Sequence, residues 1–349
     1  MLNPYKNVNW SSYQQVVSTS HAHCKRQATF DALYNGGVRF FVVSNYYASQ
    51  PLYPSDNGVI SDIPSLREDI VVPNDCIVSA NAEHHNFGGM PAVHLNSLGS
   101  TFSSGSPEYY DESTGTWKRD AEPVGMNGAS VKKLIESVKK TLIYPDGGGI
   151  TINHPIWTHG GNAAFTPNAI CKLLDMSPLI LGQEVIEDGN WENDARPYWD
   201  AVLMTGRRSW GFFVPDHAAE PQKFPNSWIG RNVLLVPTFT ERECLKAYRN
   251  GAFYGRKGWS NLAFTQISVS GKKITVKTNS AERIFFIVDG ARTEKSGSSA
   301  SFTCPATSTY VRVEAEGLDD IIFSQPVIFR VKTTKSFSKA AMFLWGRQF

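Results

Sequence analysis

Between about residue 15 and residue 255, short β-branched runs alternate with stretches whose apolar residues recur at helical spacing. That alternation restricts the chain to a parallel sheet or barrel with helices between its strands. Candidate strands are VVSTSHAH, VRFFVVSN, CIVSANAE, GITINHP, LILGQEV, WGFFVPD and NVLLVP. Helix-like stretches between them are ATFDALYNGG, ASVKKLIESVKKTL, TPNAICKLLDM and TERECLKAYRNG, the first stopped by Gly36 and Gly37. Strand then helix, repeated about seven times, predicts an α/β barrel. Residues 100–128, rich in Ser, Gly, Asp and Glu, are too long for a simple connection and read as an excursion over the functional face.

After about residue 260 the period changes to two. ISVSGKKITVKT, RIFFIVDGA, SASFTCPA, YVRVEAEG and IIFSQPVIFRV are separated by turn residues and predict a small antiparallel β-sandwich. The expected division is a barrel over 1–258 and a sandwich over 259–349, which suits a length of 349 residues. The tail TTKSFSKAAMFLWGRQF takes no assignment, and its apolar end is expected to fold back on the protein.

Composition excludes several classes. A net charge of +2 gives no general attraction for nucleic acid or acidic membranes, and no run of 18 apolar residues predicts a membrane span. The N-terminus lacks the apolar core of a signal peptide, so a cytoplasmic location is expected, with a trimmed secreted form left open. The five cysteines, Cys24, Cys76, Cys171, Cys244 and Cys304, are far apart and form no CxxC pair, which argues for free thiols.

All eight histidines lie before residue 218. Five stand at or just past the end of a candidate strand, and in a parallel barrel those ends share the face where sites form. His21-Ala-His23 closes the first strand, where period two puts both imidazoles on one side; the alternative is a surface pair. Strand three ends in Glu83-His84-His85. Glu83 can bridge two cations, while His84 and His85 point opposite ways, so at most one of them faces the site. His94 lies in AVHLNSLG and reads equally as a ligand or a structural histidine. His154 stands at a strand tip before Pro155; His159 belongs to the next loop.

Asp216 ends an apolar run where a carboxylate is costly to bury unless paired or on a metal, and His217 beside it suits a ligand or a general acid. Glu184, in LILGQEV, reads as a catalytic acid or as a cap or ion-pair partner, with Asn190 close behind. Arg207 and Arg208 suit either a phosphate or a solvated helix end.

This order of residues resembles the PHP superfamily, named for polymerase and histidinol phosphatase. That resemblance implies a distorted seven-stranded barrel holding divalent metal ions. Its opening HxH corresponds to His21 and His23, its bridging glutamate to Glu83, its next histidine to His94, its His-Pro histidine to His154 and its late aspartate to Asp216. ECLKAYRNGAFYG is similar to the family's last helix. The trailing sandwich, with its Ile-Val-Asp-Gly turn and Ser-Gln-Pro strand, resembles the branch containing carbamate-ester hydrolases.

Three departures strike one metal position. The acid after HxH has only Asp31 nearby, the Thr-Asp-His string is replaced by Ser44-Asn45-Tyr46, and the closing string reads Asp216-His217-Ala218. The resemblance therefore implies two metal sites, one using His21, His23, Glu83 and Asp216, the other Glu83, His94 and His154.

The implied activity is hydrolysis of a small-molecule ester by a metal-bound hydroxide, with a phosphate ester first and a carboxylic or carbamic ester second. A degenerate barrel that binds carbohydrate or protein is the non-catalytic alternative. Zn, Mn and Fe all suit such ligands, one or two ions being expected. His217, His84 and Glu184 are the candidate catalytic groups; Asn45, Tyr46, Trp157 and Asn190 are the candidate substrate contacts.

Overall fold

The computed structural model describes residues 1–24, 26–44, 70–84, 87, 90, 93–102, 108–111, 113–114, 116–119, 130–156, 166–187, 193–216, 230–258 and 261–332. The first part runs β1 (Gln14–Thr19), α1 (Gln27–Asn35), β2 (Phe40–Val42), β3 (Ile77–Ser79), β4 (Glu83–His84) and β5 (Leu95–Leu98). It continues through β6 (Glu108–Asp111), β7 (Thr116–Arg119), α2 (Val131–Thr141), β8 (Gly149–Ile152), α3 (Pro167–Met176) and β9 (Ile180–Glu187). Then come β10 (Asn193–Asp194), α4 (Arg196–Leu203), β11 (Trp210–Val214), β12 (Gly230–Val236), α5 (Glu241–Asn250) and β13 (Phe253–Lys257). Beyond these, only strands follow among the described residues: β14 (Phe264–Ser270), β15 (Lys273–Thr278), β16 (Arg283–Val288), β17 (Ala291–Ser296), β18 (Ser299–Thr303), β19 (Tyr310–Glu316), β20 (Ile321–Ser324) and β21 (Val327–Ile328).

Local chemistry starts and stops the helices. Thr166, Thr240 and Ser130 cap α3, α5 and α2 by accepting the backbone N–H three residues on, and Pro167 fills the first turn of α3. In α5 the acids Glu241 and Glu243 sit in the first turn and Arg249 in the last, matching the helix dipole. Gly251 ends it at φ 73°, and a Cβ there would lie 2.6 Å from the Trp210 ring, so both conformation and space demand glycine.

One sheet has the order β17-β16-β19-β20-β13-β12-β1-β2-β3, with β21 beside β19. A second has the order β10-β9-β8-β5-β4, with β11 on β9. The fold is mixed α/β. A seven-stranded barrel is not shown, and the pairing departs from the parallel order expected: among the described residues there are five helices, and β1–β12, β4–β5 and β5–β8 pair antiparallel. A parallel neighbour needs a crossover of a dozen residues or more, and the 85–94 link between β4 and β5 is too short for one. The 100–128 excursion contains the β6–β7 hairpin.

Two seams join the sheets. Ala22 bridges Asp216 in parallel, linking the end of β1 to the end of β11. Between β3 and β4 the chain stays against β5, with Gly99 donating to Ala80 O and Ser97 to Ala82 O. Val16, Phe40, Leu98, Leu181, Phe212, Leu234 and Tyr248 fill the space so enclosed. On the outer face of the second sheet, α2 and α3 cover Ile150, Ile152 and Ile180 with Leu134, Val138 and Ile170.

The C-terminal strands form two antiparallel layers around Phe264, Ile274, Val276, Ile284, Phe286 and Val313. One of those layers is the first sheet itself, because β13 pairs with β20 from Tyr254↔Ser324 to Lys257↔Ile321. Hydrogen bonding thus crosses the expected boundary at residue 258 without a break. The side chain of Gln325 extends this contact: its amide donates to Gly211 O and accepts from Gly211 N, both at 2.7 Å, along the free edge of β11.

A buried charge network fastens α4 to β19. Arg312 donates through Nε and Nη2 to the two oxygens of Asp200 at 2.7 and 2.8 Å, and through Nη1 to Glu314. Tyr310 Oη adds a bond to Asp200, and Arg196 one to Glu314. Removing the cation leaves the Asp200 carboxylate with only the Tyr310 hydroxyl and the buried Glu314 with the longer contact to Arg196. Arg312→Ala is therefore expected to lower unfolding free energy by about 3–5 kcal/mol, read as a reduced urea midpoint, whereas breaking the exposed Arg242–Asp146 pair is expected to leave that midpoint almost where it was.

Candidate metal centre

The β1–β11 seam positions the first group of ligands. Asp216 N donates to His21 O and His23 N donates to Asp216 O, so the backbone of Asp216 lies between the two histidines. Ala22 points into the α1 core with Phe30, Phe41 and Cys24, and alternation sends His21 and His23 together to the other side. Glu83 arrives from β4, where it pairs with Asn96 of β5.

Four donor atoms converge there. His21 Nε2 lies 3.3 Å from His23 Nε2, 3.4 Å from Glu83 Oε2 and 3.1 Å from Asp216 Oδ1. His23 Nε2 lies 3.1 Å from both Glu83 Oε2 and Asp216 Oδ1. Ligands about 2.0–2.2 Å from a tetrahedral ion stand about 3.3–3.6 Å apart, so this spacing fits one divalent cation. The donor set of two imidazoles and two carboxylates fits as well.

The other oxygen of Glu83 builds a second group. Its Oε1 is 2.9 Å from His94 Nδ1 and 3.2 Å from His154 Nε2, and it accepts from Asn153 Nδ2 at 3.1 Å. His94 precedes β5, yet it reaches the same rim as His154 because β5 runs antiparallel to β8 and begins where β8 ends. Asn153 N donates to His94 O and continues that ladder. The first group is buried throughout, whereas the His94 side chain is 17% exposed, so the second group is the one open to solvent.

His154 and Asp216 share a strained backbone, at φ 24° and φ 44°. For His154 the following Pro155 adds to the cost. Glu184 offsets it: its Oε2 accepts from His154 N at 2.7 Å, and its Oε1 holds His21 Nδ1 at 2.8 Å.

Electrostatics reflect this crowding. Burial alone would raise the Glu83 carboxyl, but His21 and His94, with the hydrogen bond from His154, hold it well below its ordinary range. Burial alone would lower His21, but Asp216, Glu184 and Glu83 together hold it well above.

The structure thus brings His21, His23, Glu83, Asp216, His94 and His154 into two groups sharing Glu83. Two candidate catalytic residues are corrected. His84 alternates away from Glu83; its Nε2 is 2.8 Å from Ser97 Oγ and its ring stacks on Phe102, so it belongs to the core. Both oxygens of Glu184 are already occupied, by His21 Nδ1 and by His154 N, which leaves neither facing the open side of the site. Arg207 is fixed to Asp175, and Arg208 caps the carbonyls of Pro178 and Ile180 at the start of β9, the end remote from the ligands. His217, Asn45, Tyr46, Trp157 and Asn190 lie outside the described residues, as do His85, His159 and the C-terminal tail. Asn153 is the residue the sequence reading missed; its signal is the inward alternation of Thr151 and Asn153 between Ile150 and Ile152.

No protein-family model and no curated protein matches the chain. Among solved structures, the chain is similar to a two-domain protein containing a predicted PHP-like metal-dependent phosphoesterase from Bacteroides vulgatus. The two are 11% identical, 91% of this chain and 90% of that one are covered, and the TM-score is 0.45. So distant a likeness transfers neither ligands nor reaction. No helix among the described residues is long and apolar enough to cross a membrane.

The charge pattern sets the pH dependence of metal uptake. With its pKa raised, His21 contributes stability fully below 6.5, lost as pH rises through its folded value; Glu83, lowered, contributes above 4.5 and loses this as pH falls. A cation needs His21 Nε2 bare. Titrating zinc into metal-stripped protein in weak buffer at about pH 7 is therefore expected to release about one proton per ion at the first group. Apparent affinity should rise with pH, and uptake without acidification would contradict this account.

Proposed function

We propose that this chain is a metal-dependent hydrolase acting on a small-molecule phosphate ester. The observation that carries the reading is Glu83, one buried carboxylate whose two oxygens serve two separate donor groups. A protein that only bound a partner would gain nothing from burying five such side chains and half-burying a sixth at one rim, since each costs desolvation.

Divalent cations held there supply Lewis-acid stabilisation and water activation, and a pair of them suits in-line displacement at phosphorus. Zn, Mn and Fe all match imidazole and carboxylate donors. The chain's own residues divide the remaining work. Glu83 and Asp216 offset the cationic charge, and Asn153 fixes the rotation of the Glu83 carboxylate through its bond to Oε1. The solvent-facing side of His94 leaves an approach to the second group, where the ester would enter. Asn45, Tyr46, Trp157 and Asn190 are assigned to substrate contact from their places in the sequence.

The test is elemental analysis of untagged protein beside Glu83→Ala, with turnover of aryl phosphates and aryl carboxylates. Two equivalents of metal in the parent, loss of both in Glu83→Ala, and turnover of phosphates in preference to carboxylates are expected. Preference for carboxylic or carbamic esters would move the substrate class. A parent that takes up no metal and turns nothing over would leave a binding module.

Leaving-group protonation is assigned to His217, next to the ligand Asp216 in the chain. His217→Ala is expected to lower kcat about 10²–10⁴-fold for an alkyl phosphate and far less for a nitrophenyl phosphate, whose leaving group needs no proton. Equal losses on both substrates would remove His217 from that role.

A further inference from the structure

We infer that Glu184 is a positioning residue that governs both metal sites at once, by selecting the ligating nitrogen of His21 and by holding the strained backbone of His154. The inference rests on the metal-binding reading above. It starts from the fact that a carboxylate offers acceptors only. With Glu184 Oε1 at 2.8 Å, His21 Nδ1 must keep its proton, so Nε2, aimed at His23, Glu83 and Asp216, is the nitrogen that gives up its proton to become a ligand. The second oxygen accepts from His154 N at 2.7 Å, where the chain sits at φ 24° before a proline. One buried side chain, 1% exposed, therefore serves a ligand of the closed group and a ligand of the open group.

Glutamine cannot replace it, although it has the same shape. An amide has one acceptor and one donor group. If its oxygen keeps His154 N, its NH₂ faces His21 Nδ1, which must then accept, and the ring proton moves to Nε2 and blocks the first site. If its oxygen keeps His21, two donors oppose each other at His154, the strained turn loses its partner, and the second site relaxes. Either orientation damages a metal site without touching a ligand.

The experiment is zinc binding to metal-stripped wild-type protein and Glu184→Gln by calorimetry, with circular dichroism to confirm that the variant folds. Wild-type protein is expected to bind two ions, and Glu184→Gln to lose about 10–100-fold in affinity at one or both sites, in the range typical of lost outer-shell partners. Unchanged binding of both ions by a folded variant would overturn the role of Glu184 and leave the metal reading standing. A wild-type protein that binds no zinc would overturn both. Nitrogen-15 spectra of zinc-loaded wild-type protein supply a second readout that needs no variant: His21 is expected to carry its ring proton on Nδ1, and a proton on Nε2 would overturn the inference.

Discussion

Glu83 is the side chain on which the arrangement of the site depends. A lone carboxylate at 1% exposure is expensive, because nothing in an apolar interior replaces its water. Here its Oε2 faces His21 and His23 while its Oε1 faces His94, Asn153 and His154. Remove it and the two groups of imidazoles are left with no common counter-charge. The backbone pairing Glu83↔Asn96 and the bond from Ser97 N to Ala82 O hold the carboxylate at that height on the sheet. Neighbouring polar groups then follow, since Asn96 Nδ2 satisfies Ser20 O just below the first histidine.

Strand direction explains how residues so distant in sequence meet. β8, β9 and β11 run parallel, so Asn153-His154, Glu184 and Asp216 lie towards one end of the second sheet. β1 joins that end through the Ala22–Asp216 bridge. The antiparallel β5 contributes from its beginning, which puts His94 ahead of its strand and still on the same rim. A wholly parallel barrel would have placed His94 on the opposite face. The mixed pairing is thus what completes the second group.

Much of this was legible in the sequence because period and strand ends are local properties. His21-Ala-His23 on one side of a strand follows from alternation, and every candidate strand between residues 16 and 237 forms at least in part. Direction of pairing is a long-range property, so the antiparallel β5 and β12 were not legible from the strand-helix alternation. The short helix α4 was missed for a related reason: its apolar Trp199, Val202 and Leu203 face β9 and β11, and its charges bind β19. Glu184 was legible as an inward acid but not as a double acceptor, because its partners lie on β1 and after β8. His84 was misassigned because alternation alone says that adjacent residues face opposite ways and not which one faces the metal groups.

The C-terminal strands are part of what holds the site together. β11 leads to Asp216, and among the described residues one of its edges pairs with no strand at Gly211. The Gln325 amide takes the place of that strand, satisfying both backbone groups of Gly211. Its own N–H is held by Tyr5 Oη, which in turn donates to Phe253 O beside β12. Asn232 of β12 covers Phe213 N on the same edge and reaches Ser20 Oγ, one residue before His21. A continuous run of buried hydrogen bonds therefore links the segment after β20 to both strands of the β1–β11 seam. Because an unpaired buried backbone group costs about 1–3 kcal/mol, these bonds hold the register of that seam, and with it the spacing of His21, His23 and Asp216, from the C-terminal side as well as from within the site.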